Sequence, residues 1–140
     1  MLGGVTIPHP LGLLGHSDAD VLVHAIMDSL LGAAALGDIG IHFPDTDPRW
    51  AGADSIVLLA AVRELLAHAG CIPRHVDATL VAQAPRVAPF LPQMRLRIAS
   101  ALLCDDAAIS IKATTTEGLG FVGAGEGIAA HAVATILRRP

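Results

Sequence analysis

Ile128-Ala129-Ala130-His131-Ala132-Val133-Ala134-Thr135-Ile136-Leu137 can be built in two ways, and the choice bears on the whole fold. Its alanines favour helix by intrinsic propensity, whereas Val133, Thr135 and Ile136 suit a pleated strand. The local pattern leaves both open. Immediately upstream, residues 118–127 hold five glycines in ten positions, a turn whose backbone can approach a ligand closely. Residues 109–116 are full of β-branched side chains and predict a strand.

Further back, residues 76–81 alternate with β-branched residues and predict another strand, broken by Ala84-Pro85-Arg86. Pro92 fits the first turn of a helix that runs to Leu103. Asp54-Ser55 caps a helix that ends near Ala69, with Gly70 as its stop. Residues 38–54 form a long connection rich in Asp, Pro and Gly, and loops of that length are usually functional or mobile. Ser17 suits the cap of a first helix, Asp18 and Asp20 suit its positive end, and Gly37 closes it. Residues 3–7 read as a short strand closed by Pro8 and Pro10.

At 140 residues the chain is long enough for one domain with a real core. Hydrophobic residues are 53% against 16% charged, which excludes a disordered chain. Aromatics are only 3%, so Ala, Leu, Val and Ile must build the core, and subunit association is expected. A net charge of −4 without a long basic run argues against nucleic acid. Every window of about 18 residues contains a charge or a proline, which argues against a membrane span. No basic segment opens residues 1–15, so a cleaved signal peptide is not supported. Cys71 and Cys104 stand far apart and read as reduced thiols of a cytoplasmic protein.

Asp20, His24 and Asp28 are spaced to share one helical stripe. Asp20 could orient the His24 ring toward a metal, or the three could form a solvated polar face. His16 and Ser17 stand where a helix start favours phosphate, or where an ordinary cap would lie. Phe43-Pro44-Asp45-Thr46-Asp47-Pro48 can hold polyol hydroxyls or a hard cation, although turn chemistry alone explains it. Thr114, Thr115 and Thr116 end a strand beside Glu117, which suits a phosphate with Mg²⁺ as well as a plain strand end. No Walker-type loop or nucleophile elbow occurs.

The order of these segments is more telling than any one of them. Gly12-Leu13-Leu14-Gly15-His16-Ser17-Asp18-Ala19-Asp20, His24-Ala25-Ile26-Met27-Asp28 and Leu31-Gly32-Ala33-Ala34-Ala35-Leu36-Gly37-Asp38-Ile39-Gly40 resemble the 2-C-methyl-D-erythritol 2,4-cyclodiphosphate synthase family. So do the 43–48 segment, Ala82-Gln83-Ala84-Pro85-Arg86, Pro92-Gln93-Met94-Arg95, Lys112-Ala113-Thr114-Thr115-Thr116-Glu117 and Gly123-Ala124-Gly125-Glu126-Gly127. The resemblance implies an α+β fold, a four-stranded mixed sheet with helices on one face, assembled as a homotrimer. It also makes residues 126–137 a strand. The implied reaction cyclises 4-diphosphocytidyl-2-C-methyl-D-erythritol 2-phosphate to the 2,4-cyclodiphosphate and releases CMP, in the cytoplasm or a plastid stroma.

The same resemblance implies His16 and Thr115 as catalytic residues and Ser17 beside them. It implies Asp38 and Gly40 as ribose contacts and Asp45 as the contact to the erythritol hydroxyls, with Ile39, Phe43, Pro44, Thr46 and Asp47 also among the substrate-binding residues. Ala82, Gln83, Ala84, Pro85, Arg86, Val87 and Ala88 match the cytosine loop, with Thr114, Thr116 and Phe121 also lining the substrate. His24 matches a zinc ligand and Glu117 a Mg²⁺ ligand. Two departures stand out. The family's opening strand carries Asp-x-His, two of three zinc ligands, and none precedes His16 here. Ala124 occupies a position where arginine is usual. The sequence therefore reads as one cyclodiphosphate synthase domain, 1–140, lacking its first strand, possible as a fragment of an ordinary or bifunctional chain. The alternatives are a non-catalytic cytidine-nucleotide-binding or structural trimer, and a metal-dependent phosphohydrolase.

Overall fold

A computed structural model describes residues 1–12 and 18–140. The elements in chain order are α1 (Val21–Ala33), α2 (Ile39–His42), α3 (Ser55–His68), β1 (Cys71–Val81), α4 (Leu91–Leu102), β2 (Ile109–Thr114), α5 (Gly120–Gly123) and β3 (Ala129–Arg138). Single 3₁₀ turns lie at Pro48–Trp50, Ala88–Phe90 and Asp106–Ala108. The sheet is mixed, in the order β2-β1-β3. β1 and β2 run parallel, joined by the crossover through α4 that a parallel pair requires. β3 returns antiparallel along the other side of β1, with Val76 opposite both Ile109 and Ala134.

The ambiguous segment is therefore a strand. Ala130, Ala132, Ala134 and Ile136 pack against the core, while His131, Val133, Thr135 and Leu137 point outward. A period of two is present, but alanine on the inner face hides it. Those small side chains let α1 lie directly over β3. α1, α3 and α4 cover one face of the sheet, and Leu22, Ile26, Leu30, Leu59, Leu66, Met94 and Ile98 fill the layer between them. No helix among the described residues is long and apolar enough to cross a membrane.

Four expectations change. The described residues form three strands in one sheet, not four. Residues 3–7 are not a strand; the chain turns over residues 2–5, where Leu2 and Val5 exchange backbone hydrogen bonds of 2.9 Å and Gly3 and Gly4 have φ of +58° and +72°. Positive φ at both central residues is the type I′ geometry that glycine permits. Their N–H groups donate to the Asp20 carboxylate at 2.9 and 2.7 Å, so they are unavailable to a ladder.

The first helix begins later and ends earlier than its flanking residues suggest. Asp20, not Ser17, is its cap, accepting from the Val23 N–H. It stops at Ala33, not Gly37. Leu36 N–H bonds to Leu31 C=O at 2.8 Å and Ala35 N–H to Gly32 C=O at 3.0 Å. This is the Schellman closure, with Ala35 at φ +57° where glycine is usual. The substitution of alanine at that position is what conceals the stop. β1 begins at Cys71, five residues before the expected start, and absorbs Pro73 through a register shift between Pro73 and His75.

Candidate functional site

Six of the expected site residues meet at one cavity of about 330 Å³. His24 reaches it from the first turn of α1, Ile39 and Gly40 from α2, and Phe43, Pro44 and Asp45 from the loop that follows. Met27 and Leu58 supply an apolar floor, and Trp50 closes one wall. Asp28 and Asp38 set α2 in place. The Ile39 N–H donates to Asp28 at 2.9 Å, and Asp38 caps the helix by accepting the Ile41 N–H at 3.0 Å. Two carboxylates thus position the residues that line the cavity without entering its lining themselves.

The loop wall is braced by aromatic and ionic contacts. Phe43 and Trp50 meet edge to face, with ring centroids 5.1 Å apart. The Arg49 guanidinium lies 5.3 Å from the Trp50 ring and pairs with Asp47 at 2.6 Å. The hydrogen bonds that Arg49 donates to Asp47, together with that carboxylate's charge, raise the guanidinium above its ordinary value. Asp47 also caps the Pro48–Trp50 turn. Thr46 is exposed beside it. Trp50 carried no signal in the sequence beyond its being the chain's one tryptophan.

The threonine segment forms a second cluster. Thr115 Oγ1 accepts the Glu117 N–H at 3.1 Å, Thr116 Oγ1 donates to Leu119 C=O at 2.6 Å, and Thr114 Oγ1 donates to Thr115 C=O at 3.2 Å. These bonds hold Glu117 at φ +52°, a left-handed conformation costly for a residue with a side chain. Gly123 allows the turn to close. A Cβ there would lie 2.1 Å from the Gly118 carbonyl carbon, which no backbone could accommodate. Phe121 is exposed on α5.

The 82–88 loop is tied to this cluster. Ala82 N–H donates to Thr114 C=O at 3.0 Å, and the Gln83 side chain accepts the Gly118 N–H at 3.1 Å. Ala82 and Val87 are buried, while Arg86 and Ala88 are exposed. Ala84 and Pro85 line another cavity of about 300 Å³ with Gly125, Glu126 and Gly127. That cavity and the one at His24 share no lining residue. His16 and Ser17 lie outside the described residues.

The expected metal chemistry is not assembled in this chain's described residues. No group of three or more His, Cys, Asp or Glu side chains converges among them. Asp20 does not orient His24: it is fully buried and spent on the Gly3, Gly4 and Val23 N–H groups. The His24 ring instead places Nε2 3.1 Å from Ser55 Oγ. Glu117 stands apart on its exposed turn. These donors do not make a zinc set among the described residues.

The chain is 62% identical over 133 residues to the 2-C-methyl-D-erythritol 2,4-cyclodiphosphate synthase of Geobacter sulfurreducens, covering 95% of this chain and 85% of that protein. It superposes on the bifunctional IspDF of Campylobacter jejuni with a TM-score of 0.93 and 41% identity, covering 97% of this chain but only 37% of that longer one. It superposes on IspF of Plasmodium falciparum in complex with CDP with a TM-score of 0.85 and 32% identity, covering 99% of this chain and 83% of that one. The YgbB family model matches residues 1–137. The chain belongs to the YgbB family, that of the 2-C-methyl-D-erythritol 2,4-cyclodiphosphate synthases.

Proposed function

We propose that this chain, as one synthase domain, cyclises 4-diphosphocytidyl-2-C-methyl-D-erythritol 2-phosphate to 2-C-methyl-D-erythritol 2,4-cyclodiphosphate. An oxygen of the 2-phosphate attacks the β-phosphorus, and the bond from that phosphorus to the bridging oxygen breaks. CMP leaves with that oxygen. Such a displacement asks a protein mainly to fold the substrate for in-line attack and to offset phosphate charge. The observation that carries the reading is the convergence of His24, Gly40 and Asp45 on one cavity with an apolar floor. It suits a short branched polyol: methyl group toward Met27 and Leu58, hydroxyls toward Asp45.

Asp38 and Gly40 are proposed ribose contacts, the 82–88 loop the cytosine clasp, and Thr115 with His16 the phosphate-positioning pair. Glu117 is the proposed carboxylate for Mg²⁺ on the diphosphate, and His24 contributes one imidazole toward a zinc-class cation. A homotrimer is supported by the sheet face turned away from the helices, where Val133 is 72% and Leu137 50% exposed. The cytoplasm is the proposed setting, in keeping with free Cys71 and Cys104. Burial, with help from Asp105, pushes the Cys104 thiol above its ordinary value, so it stays protonated.

The test is release of CMP from the synthase substrate, with the cyclic diphosphate as co-product. Bound CDP without CMP release would overturn the proposal in favour of a non-catalytic nucleotide-binding protein. Orthophosphate release from simple phosphate esters would overturn it in favour of a phosphohydrolase.

A further inference from the structure

Ser55 is the first residue of α3 and is wholly buried, yet its hydroxyl is not needed to cap that helix, which Asp54 already caps. The Ser55 Oγ instead lies between two groups from elsewhere in the chain. It donates to Oδ1 of Asp18 in a short hydrogen bond. On its other side it lies 3.1 Å from Nε2 of His24. The Ser55 backbone N–H also donates to Asp18, to Oδ2 at 3.0 Å, so the carboxylate grips this residue with both oxygens. Asp18 is itself fixed by accepting the Asp20 N–H at 3.1 Å and donating its own N–H to Ala53 C=O at 3.2 Å.

With Asp18 as a carboxylate, the proton bookkeeping of these three groups follows. A carboxylate only accepts, and a serine hydroxyl has one hydrogen to give. That hydrogen goes to Asp18, so the contact at His24 needs a hydrogen on Nε2. We infer that Ser55 is a positioning residue which, anchored by Asp18, holds the His24 imidazole as the Nε2–H tautomer. The ring's lone pair is then on Nδ1. Which nitrogen carries the lone pair decides what a histidine can coordinate or accept from, and a buried hydrogen-bond partner is the usual way to set it. The three residues come from the segment before α1, from α1 and from α3, so their meeting is a product of the fold.

The inference deepens the proposed role of His24 at the cavity, but its test needs no turnover. Long-range ¹⁵N–¹H correlation on the full chain at about pH 8, above the ordinary imidazole range, reports each ring's tautomer. His24→Gln identifies the His24 signal by its loss. The wild-type ring is expected in the Nε2–H form. Ser55→Ala should reduce that preference by about fivefold or more, the size of one ordinary hydrogen bond, and Ser55→Thr should restore it. A wild-type ring in the Nδ1–H form overturns the inference, and this measurement needs no variant to fold. A folded Ser55→Ala chain with an unchanged tautomer also overturns it. Failure of CMP release with the Nε2–H tautomer in place would count against the cyclase reading alone.

Discussion

Two pairs of aspartates have the same spacing in the sequence and opposite situations in the fold. In Asp18-Ala19-Asp20 both carboxylates take backbone N–H groups, and Asp20 has no exposed surface. In Asp45-Thr46-Asp47 the first residue is exposed at the cavity, and the second holds Arg49 and a 3₁₀ turn. A carboxylate surrounded by buried N–H donors is part of the architecture, because removing it strands those donors. A carboxylate at a cavity rim can be exchanged with little structural cost, and its conservation of shape and charge matters for what enters the cavity.

Substitutions should separate the two pairs cleanly. The largest effect belongs to Asp20→Ala, which leaves the Gly3, Gly4 and Val23 N–H groups without their acceptor. A loss of about 4 kcal/mol is expected from three stranded donors, read from urea unfolding. A loss below about 1 kcal/mol would break the comparison. Asp45→Asn should leave stability within about 0.5 kcal/mol, as for other surface changes. Its effect should fall on the reaction instead. With a substrate hydroxyl deprived of a charged acceptor, kcat/KM should drop by about 10–100-fold.

A smaller effect is expected at the loop brace. Trp50→Leu removes the edge-to-face contact with Phe43 and the platform under Arg49, worth about 1 kcal/mol. Thermal unfolding should register that loss, and KM should rise more than kcat falls, because the cavity wall is loosened. The smallest effect concerns Asp77, whose carboxyl is held below its ordinary value chiefly by its hydrogen bond from Lys112. A depressed folded-state value stabilises the fold above the ordinary carboxylate range and is lost as pH falls through the lowered value. Lys112→Met should move the Asp77 midpoint up toward about 4 in a carboxyl NMR titration. Unfolding at pH near 7 should hardly change, since an exposed ion pair is screened by solvent.

The sequence made much of this legible, and the reasons for the rest are specific. The α3 start at Asp54-Ser55 was readable because an aspartate cap precedes a long apolar run. The α4 start was readable from Pro92, although the helix opens one residue sooner. The end of α1 was hidden because alanine occupies the left-handed position that glycine usually marks. β3 needed the family resemblance, since alanine on its inner face erases the contrast that periodicity depends on. At the site, Ile39, Gly40, Phe43, Pro44 and Asp45 line one cavity with His24, each drawn from a segment whose composition stands out in the sequence. Ser55 was legible only as part of a helix cap, because its link to Asp18 spans 37 residues and its link to His24 spans 31. Trp50 was missed for the same reason: nothing local distinguishes a cavity wall from a surface turn.

The wall formed by Trp50 has an optical consequence. The chain has one tryptophan and no tyrosine, so its near-ultraviolet emission comes from a single indole. That indole sits at the cavity with His24 and Asp45, in edge contact with Phe43. Unlabelled protein therefore carries its own reporter of cavity filling, and occupancy can be followed in a stopped-flow cell without a dye, a tag or a coupled enzyme.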